Sequence, residues 1–352
     1  MDLIQQAINN LTFDAKIRAQ AAFSALNHVD ALIADFKLRE GKSQADILLD
    51  VFGLLQGLFV GIDGMYQLSF AATKYKYHIN INSNKALKEL KYLRNDVVGH
   101  PTNRNYDDGS FGFSIILNDE ITRDKLSYIT YIIKGKDIIL DKHTVYFDEL
   151  LKAYEQEKTI FIRDLNAYLR RNPSKIQSSG LIVQLFEKAA KHNFDFNLLE
   201  SIKKLFLSEQ NLFHDTRNRF IWRIHLVKTL FEWKDEAYQD VIHYTTLNQI
   251  LSIYQMNQDL NNDKLRMPKI SLPTLIQSFD SWVEKHPESK RLINYLNDSD
   301  HPLFKADLDQ LIDQVTSNDL KAFLSWFKEL RNLDHKFLVG QLLKQASKRI
   351  VL

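Results

Sequence analysis

Along most of the chain, apolar residues recur every three or four positions, which is the spacing of amphipathic α-helices. In the first half of the chain this spacing predicts four helical stretches, the first of them in two pieces. Asn84 or Ser83 is suited to cap the third stretch, and a serine stands before the second. Gly41 ends the first, and Gly99 ends the third by accepting a left-handed cap conformation. The predicted helices span residues 2–40, 44–74, 85–98 and 146–171.

The pattern changes between the third and fourth of these helices. Three short segments there are rich in β-branched and aromatic residues, as strands are. Gly135 separates the last two segments as a hairpin turn does. We therefore predict a small antiparallel sheet of two or three strands, inserted at about residues 110–141. The three predicted strand segments are residues 111–117, 126–133 and 136–140.

The second half of the chain returns to helical spacing after a segment of proline, serine and glycine. That segment predicts a linker at 172–180, with a first domain at 1–171 and an all-helical second domain of unknown role at 181–352. A polar stretch at 257–269 predicts a surface loop. The predicted helices of the second domain are residues 181–191, 196–207, 211–232, 236–257, 272–285, 288–297, 306–314 and 317–349.

Composition places the chain among globular proteins of more than one domain. It has 352 residues, of which 45% are hydrophobic and 26% charged, enough to build a core. The net charge is only +2, so the protein as a whole does not attract nucleic acid, and an anionic partner needs a local basic patch. There is no cysteine, which excludes disulfides, thiolate catalysis and cysteine-bound metals.

The N-terminal residues and the most apolar stretch both favour a cytoplasmic protein with no membrane segment. An acid follows the first methionine, and polar residues occupy the positions where a signal peptide is apolar. The most apolar stretch, residues 47–72, is interrupted by Asp50, Gln56, Asp63 and Gln67. A helix that crosses a bilayer needs about 20 successive apolar residues, so we predict a buried helix instead.

The third predicted helix carries an arginine on its apolar side. On a helical wheel, Arg94 falls between the directions of Leu87 and Leu90, while Asp96 points away from the core. A guanidinium keeps its charge in any surroundings, so Arg94 must find an acceptor or lie where two surfaces meet. Asp63 on the second helix is the partner that we predict for it, although a solvated carboxylate is the alternative for Asp63.

A histidine follows this arginine at the end of the helix. His100 is six residues after Arg94, and the break at Gly99 lets it turn back toward the arginine. Its imidazole titrates near neutral pH, which suits proton transfer. The alternative interpretation is structural, with an arginine that bridges helix ends and a histidine that caps carbonyl groups.

The same region is locally basic. Seven basic and two acidic residues lie from Lys74 to Arg104, and tyrosines are interspersed among them. Such a surface attracts an anionic ligand, and tyrosine rings stack on nucleobases; a solvated helix face with tyrosines in the core is the other interpretation. The candidate contacts are Lys85, Lys88, Lys91, Tyr92 and Arg104.

Arg94-Asn95, four further residues and His100 together resemble the signature of the HEPN superfamily, in which an arginine, a small polar residue and a spaced histidine lie near the end of the third helix of a four-helix bundle. The resemblance covers about residues 1–171. It implies a metal-independent endoribonuclease of toxin–antitoxin, abortive-infection or other anti-phage defence systems. It also implies a homodimer whose cleft combines the arginine and histidine of both copies. HEPN-type bundles also occur as non-catalytic protein- or RNA-binding regulatory modules, which remains the alternative.

The chemistry of RNA cleavage fits these residue types. Attack by the 2′-hydroxyl needs a base, an acid for the departing 5′-oxygen and a cation for the charge that develops on the phosphate. His100 can transfer the protons, Arg94 offers a fork that matches phosphate oxygens, and Asn95 can donate to the phosphate or orient the histidine. We predict no metal and no cofactor. The predicted partners are RNA, a second copy of the chain and an antitoxin or regulatory protein.

Two other Arg-Asn pairs are followed closely by a histidine, one by His225 and one by His335. Their spacings to the histidine differ from that of the first pair, and no glycine or proline break follows them. We predict that Arg217 and Arg331 lie within helices and form no second site. Phosphate-binding glycine loops and nucleophile-elbow motifs are also missing from the sequence.

Overall fold

The computed structural model shows a mainly α-helical protein with a small antiparallel sheet, which confirms the predicted class. The chain divides into two compact units. The first comprises Met1–Ser174 and Leu207–Arg219, and the second comprises Lys175–Phe206 and Phe220–Leu352. The structure describes residues 3–41, 43–77, 79–99, 101–102, 104–105, 111–134, 137–170, 178–261 and 270–346.

The helices of the first unit follow the predicted stretches, and their caps explain where two of them begin. The hydroxyl of Ser43 accepts a bond from the Asp46 amide at 3.2 Å. The side-chain oxygen of Asn84 accepts bonds from the amides of Ala86 and Leu87. Both side chains satisfy amides that the first helical turn leaves without a partner. The helices are α1 (Leu3–Asn9), α2 (Phe13–Leu38), α3 (Gln44–Thr73), α4 (Lys85–Arg94) and α5 (Phe147–Arg170).

Glycines let other elements approach α3 closely. A side-chain carbon at Gly57 would lie 3.0 Å from the end of the Leu32 side chain on α2, so a larger residue there would require that side chain to shift. At Gly61 the added carbon would overlap the hydroxyl of Tyr154 on α5. That hydroxyl is buried, and it has no hydrogen-bond partner in the part of the chain that the structure describes. Gly61 therefore makes room for a buried hydroxyl that has no hydrogen-bond partner among the described residues.

Helix α3 is also long and apolar enough to cross a membrane by length and composition. Its most apolar 18-residue window has a mean hydropathy of 1.8, and 33% of that window is buried. Core helices of soluble proteins pass the same test, so this property is weak evidence. The cytoplasmic location stays a prediction.

The sheet is an antiparallel meander in the order β1-β2-β3-β4. It extends beyond the predicted insertion because β4 continues to Tyr146, where it pairs with Lys125 at the start of β3. Residues 141–146 were predicted outside the strand, and pairing along the full length of β3 explains the difference. Gly135 lies outside the described residues. The strands are β1 (Arg104–Asn105), β2 (Phe111–Ile116), β3 (Lys125–Lys134) and β4 (Asp137–Tyr146).

The second unit is helical throughout its described residues, around a core that includes Phe279, Phe323 and Phe327. The predicted helix at 317–349 is two helices, because Asn332 caps a new one with bonds from the amides of Asp334 and His335. Residues 171–177 of the predicted linker and 262–269 of the predicted loop lie outside the described residues. The helices are α6 (Ser178–Ala189), α7 (Phe196–Glu209), α8 (Arg219–Glu232), α9 (Gln239–Asn261), α10 (Thr274–Lys285), α11 (Phe304–Gln314), α12 (Asn318–Glu329) and α13 (Leu333–Lys344).

Residues 207–219, which we call the strap, belong to the first unit, although the predicted boundary put them in the second domain. Two fully buried carboxylates of α5 hold the strap. Glu157 accepts bonds of 2.6 and 2.7 Å from the guanidinium of Arg217. Asp164 accepts a 2.5 Å bond from the hydroxyl of Thr216. The Arg217 carbonyl in turn accepts a 2.7 Å bond from the amide of Asn80, just before α4.

Candidate active site at the end of helix α4

Arg94 lies in the last turn of α4, half-buried where α4 meets α3, as its place on the apolar side predicted. Its Nε donates to the side-chain oxygen of Gln56 at 3.0 Å, and its Nη1 donates to Asn95 Oδ1 at 3.0 Å. The guanidinium carbon lies 5.0 Å from the centre of the Phe59 ring, within the range of a cation–π contact. Three neutral groups thus fix the position of the cation without neutralising it.

The motif continues from α4 into a π-helical turn, Asn95–Gly99. In a π-helix each amide bonds to the carbonyl five residues back, and such turns are frequent at functional sites. The wider turn rotates the residues after Arg94 away from their positions on a regular wheel. Asp96 is therefore only 2% exposed, whereas the sequence predicted that it points away from the core.

Gly99 has a different role from the predicted one. Its φ is not in the left-handed region, so it is not the left-handed cap that we expected. Instead, a side-chain carbon at this position would lie 3.0 Å from Nη1 of Arg94 and 3.5 Å from its Cζ. A side chain here would displace the end of the arginine side chain, so glycine leaves room for the Arg94 head group.

Asp63 is not the partner of Arg94. Gln56, two turns earlier on α3, occupies the place that we predicted for it, and Asp63 is exposed to solvent. Within the described residues no salt bridge joins Arg94 to a carboxylate. In the sequence, Gln56 is one of the polar residues that interrupt the apolar helix together with Asp63.

His100 lies outside the described residues, while both of its chain neighbours are described. Gly99 closes the π turn beside Arg94, and the carbonyl of Pro101 accepts a 2.7 Å bond from the amide of Ser114 on β2. The residue before the histidine therefore lies beside Arg94, and the residue after it is hydrogen-bonded to the sheet.

The basic residues of α4 are accessible to different degrees. Lys85 and Lys91 are exposed, and Lys85 forms a weak pair with Glu89 at 3.6 Å. Lys88 and Tyr92 are half-buried. The backbone of Arg104 forms β1, and its side chain lies outside the described residues.

Of the tyrosines that the sequence left open as stacking surfaces, one is in the core. Tyr77 is fully buried, and burial raises the pKa of its hydroxyl far above the ordinary range. Its hydroxyl lies 3.4 Å from both Asp164 and Thr216. Tyr77 therefore serves the attachment of the strap and is closed to a nucleobase.

A second titratable group lies near α4, which we call the motif helix. His143 of β4 bonds to Asp141 at 2.9 Å and stacks on Tyr128. The Asp141 bond raises the pKa of the imidazole, and the negative charges of Asp96 and Glu89 raise it further. The inner face of the sheet thus brings a histidine within electrostatic reach of the motif helix, a proximity that depends on how the sheet packs and has no local sequence signal.

The Arg-Asn pairs that precede His225 and His335 are not within helices, contrary to the prediction. Arg217 lies in the strap and is bound to Glu157, while Arg331 lies between α12 and α13. His225 bonds to Asp334 at 2.9 Å, and His335 stacks on Trp233. Each of these histidines has a partner other than the preceding arginine, so neither pair resembles the α4 site.

Comparisons with family models, with curated proteins and with solved structures give no match for this chain.

Proposed function

We propose that the protein is a metal-independent endoribonuclease, with Arg94, Asn95 and His100 as its catalytic residues, and that its first unit is a HEPN-type bundle. RNA is cut by its own 2′-hydroxyl, so DNA is not a substrate. The observation that carries the proposal is the state of Arg94, a half-buried cation that is held by Gln56 and Phe59 and has no carboxylate partner among the described residues.

A cation held in this way suits a phosphate in the transition state. An arginine that is bound to a carboxylate has already lost most of its attraction for a phosphate, whereas Arg94 keeps its charge. Because neutral groups fix its position, it does not have to reorganise as charge develops on the phosphate. Gly99 keeps the space beside the guanidinium free of a side chain.

Asn95 and His100 complete the proposed reaction. The side-chain oxygen of Asn95 accepts from Arg94, which leaves its amide nitrogen to donate to the phosphate or to the histidine. His100 removes the 2′-proton or protonates the 5′-oxygen. Lys85 and Lys91, both exposed, bind the RNA backbone, with Lys88, Tyr92 and Arg104 as further contacts.

The resemblance further suggests that two copies contribute to one cleft. The surface beside Arg94 fits such a contact, since Phe59 is half-buried and Val60 is 38% exposed on α3. Apolar side chains at the edge of a cleft favour association of two copies there. A role in anti-phage defence or as a toxin with an antitoxin or regulatory partner, in the cytoplasm, belongs to the same proposal.

Cleavage of a mixed population of labelled RNAs in EDTA tests the proposal. We expect fragments with 2′,3′-cyclic phosphate ends from the wild type, and a loss of at least about 100-fold in His100→Ala and Arg94→Ala. Arg94→Lys should recover little because it lacks the fork. Gly99→Ala should reduce cleavage without unfolding, since it displaces only the end of the Arg94 side chain.

Arg331→Ala, at another Arg-Asn pair, is the matched control and should leave cleavage unchanged. Intact RNA that binds in a salt-sensitive manner would refute the nuclease and favour the non-catalytic RNA-binding module. Cleavage that survives both Arg94→Ala and His100→Ala would place the active site elsewhere.

A further inference from the structure

The outer face of the sheet is apolar and exposed. On β2 and β4 the side chains that point away from the first unit's core are Phe111, Phe113, Ile115, Ile138 and Leu140, and the last two are 63% and 64% exposed. An antiparallel sheet with one face in solvent ordinarily carries polar residues on that face. We call these five residues the outer patch.

The register of the sheet makes the outer patch continuous. Phe113 lies opposite Tyr131 on β3, and Tyr131 lies opposite Leu140 on β4. In the next row Phe111, Ile133 and Ile138 are aligned in the same way. Half-buried residues of β3 therefore join the exposed residues of the two neighbouring strands into one apolar surface.

We propose that a second copy of this chain packs on the outer patch, with the two sheets face to face. The five residues expose roughly 500 Å² on each copy, so a pair buries about 1,000 Å², the lower size of a specific interface. A partner with a polar surface would bury these apolar side chains against polar groups, whereas a second copy presents an equally apolar surface. Two such faces pack with their strands about 30° apart, as in β-sandwiches.

The described charge beside the patch does not oppose self-association. Lys142, the charged residue next to Leu140 on the same face of β4, is paired with Glu120 at 3.0 Å. Two-fold packing therefore brings no unpaired like charges of these residues together. The opposite face of the sheet is turned toward the motif helix, since the negative charges of Asp96 and Glu89 raise the pKa of His143 on that face.

This interface is separate from a composite nuclease site, and it does not depend on the proposed activity. Packing through the outer patch places the two motif helices on opposite sides of the paired sheets. If two copies also meet at Arg94, each chain has two interfaces, and the assembly is larger than a dimer.

Light scattering coupled to size exclusion, at concentrations from about 5 to 100 μM, tests the proposal. The wild type should have at least twice the mass of one chain, and Leu140→Asp should at least halve the observed mass. Because each substitution enters a two-fold interface twice, we expect association to weaken by at least about 100-fold. Leu333→Asp is the matched control, at 62% exposure on α13, and should leave the mass unchanged.

The absence of cysteine allows a second, independent measurement. Leu140→Cys should be joined into covalent dimers by a short bismaleimide, and Leu333→Cys should not. Circular dichroism checks that each variant is folded, and Ile115→Asp replaces Leu140→Asp if the latter unfolds.

A monomeric wild type, or a mass that Leu140→Asp leaves unchanged, would overturn the proposal. So would a monomer that floats with lipid vesicles only when the outer patch is intact, because the occupant would then be a membrane. RNA cleavage is measured separately, so loss of the interface and loss of the nuclease are distinguishable.

Discussion

Replacing Glu157 by glutamine tests how the strap is attached to the first unit. Glu157 is fully buried on α5 and accepts two bonds from Arg217 and one of 3.4 Å from the side-chain Nδ2 of Asn84. Glutamine keeps the shape of the side chain but removes its charge, and it turns an amide nitrogen toward a guanidinium that can only donate.

The expected loss follows from the burial of the two partners. Breaking a buried ion pair by removing one partner costs about 3–5 kcal/mol. The Arg217 side chain is 25% exposed, so the remaining cation can be partly solvated, and we expect a loss of about 2–3 kcal/mol in the free energy of unfolding of the first unit.

Urea unfolding, followed by far-ultraviolet circular dichroism and by tryptophan fluorescence, measures this loss. All four tryptophans lie in the second unit, so their fluorescence reports that unit. The dichroism transition of the first unit should move to lower urea in Glu157→Gln. Hydrogen exchange should accelerate in residues 207–219 and stay unchanged in α10.

Two comparisons make the result decisive. Glu155 lies two residues away on the same helix and pairs with Lys37, with both side chains about half exposed, so Glu155→Gln should cost less than about 0.5 kcal/mol. Replacing both members of the buried pair, with Glu157→Leu and Arg217→Met, should recover at least half of the loss. Equal effects of Glu155→Gln and Glu157→Gln would refute the reasoning.

Two further predictions concern the first unit. Gly61→Ala should lower the free energy of unfolding by about 2–3 kcal/mol because its methyl group overlaps the Tyr154 hydroxyl, whereas Tyr154→Phe should cost nothing or stabilise by up to about 1 kcal/mol by removing a buried hydroxyl without a partner. In thermal melts the Gly61→Ala effect should be smaller in the Tyr154→Phe background; equal effects in both backgrounds would contradict the overlap. Because Asp141 raises the pKa of His143, the stability from this pair is complete below the unfolded pKa of about 6.5 and is lost as pH rises through the higher folded pKa. His143→Asn should therefore be more destabilising near pH 5.5 than near pH 8.5 in urea titrations, and the reverse order would show that the pair does not form.

Local signals in the sequence predicted the helical class and most of the element positions. Asn84 and Ser43 cap the helices that they were expected to cap, and the strands of the insertion appear where β-branched residues cluster. These features depend on a few neighbouring residues, so the sequence contains them directly.

Features that depend on packing between distant segments were not predicted. The π turn moves Asp96 into the interior, and nothing in its local sequence distinguishes it from a regular turn. The strap was assigned to the second domain because the carboxylates that hold it lie 52 and 60 residues earlier in the chain, and no local pattern marks that attachment. In the site, the sequence correctly predicted that Arg94 lies where two surfaces meet. That Gln56 is its partner and that Gly99 makes room for it could be seen only in the structure.

The strap also determines the order in which the protein can mature during translation. A nascent chain that has emerged only as far as residue 174 contains Glu157 and Asp164 but not the strap residues that bind them, since Arg217 and Thr216 follow 32 residues of the other unit. The bundle that carries Arg94 thus waits for later synthesis before the buried charge of Glu157 has its arginine. An amino-terminal fragment produced by premature termination would keep the motif yet lack the residues that complete its scaffold.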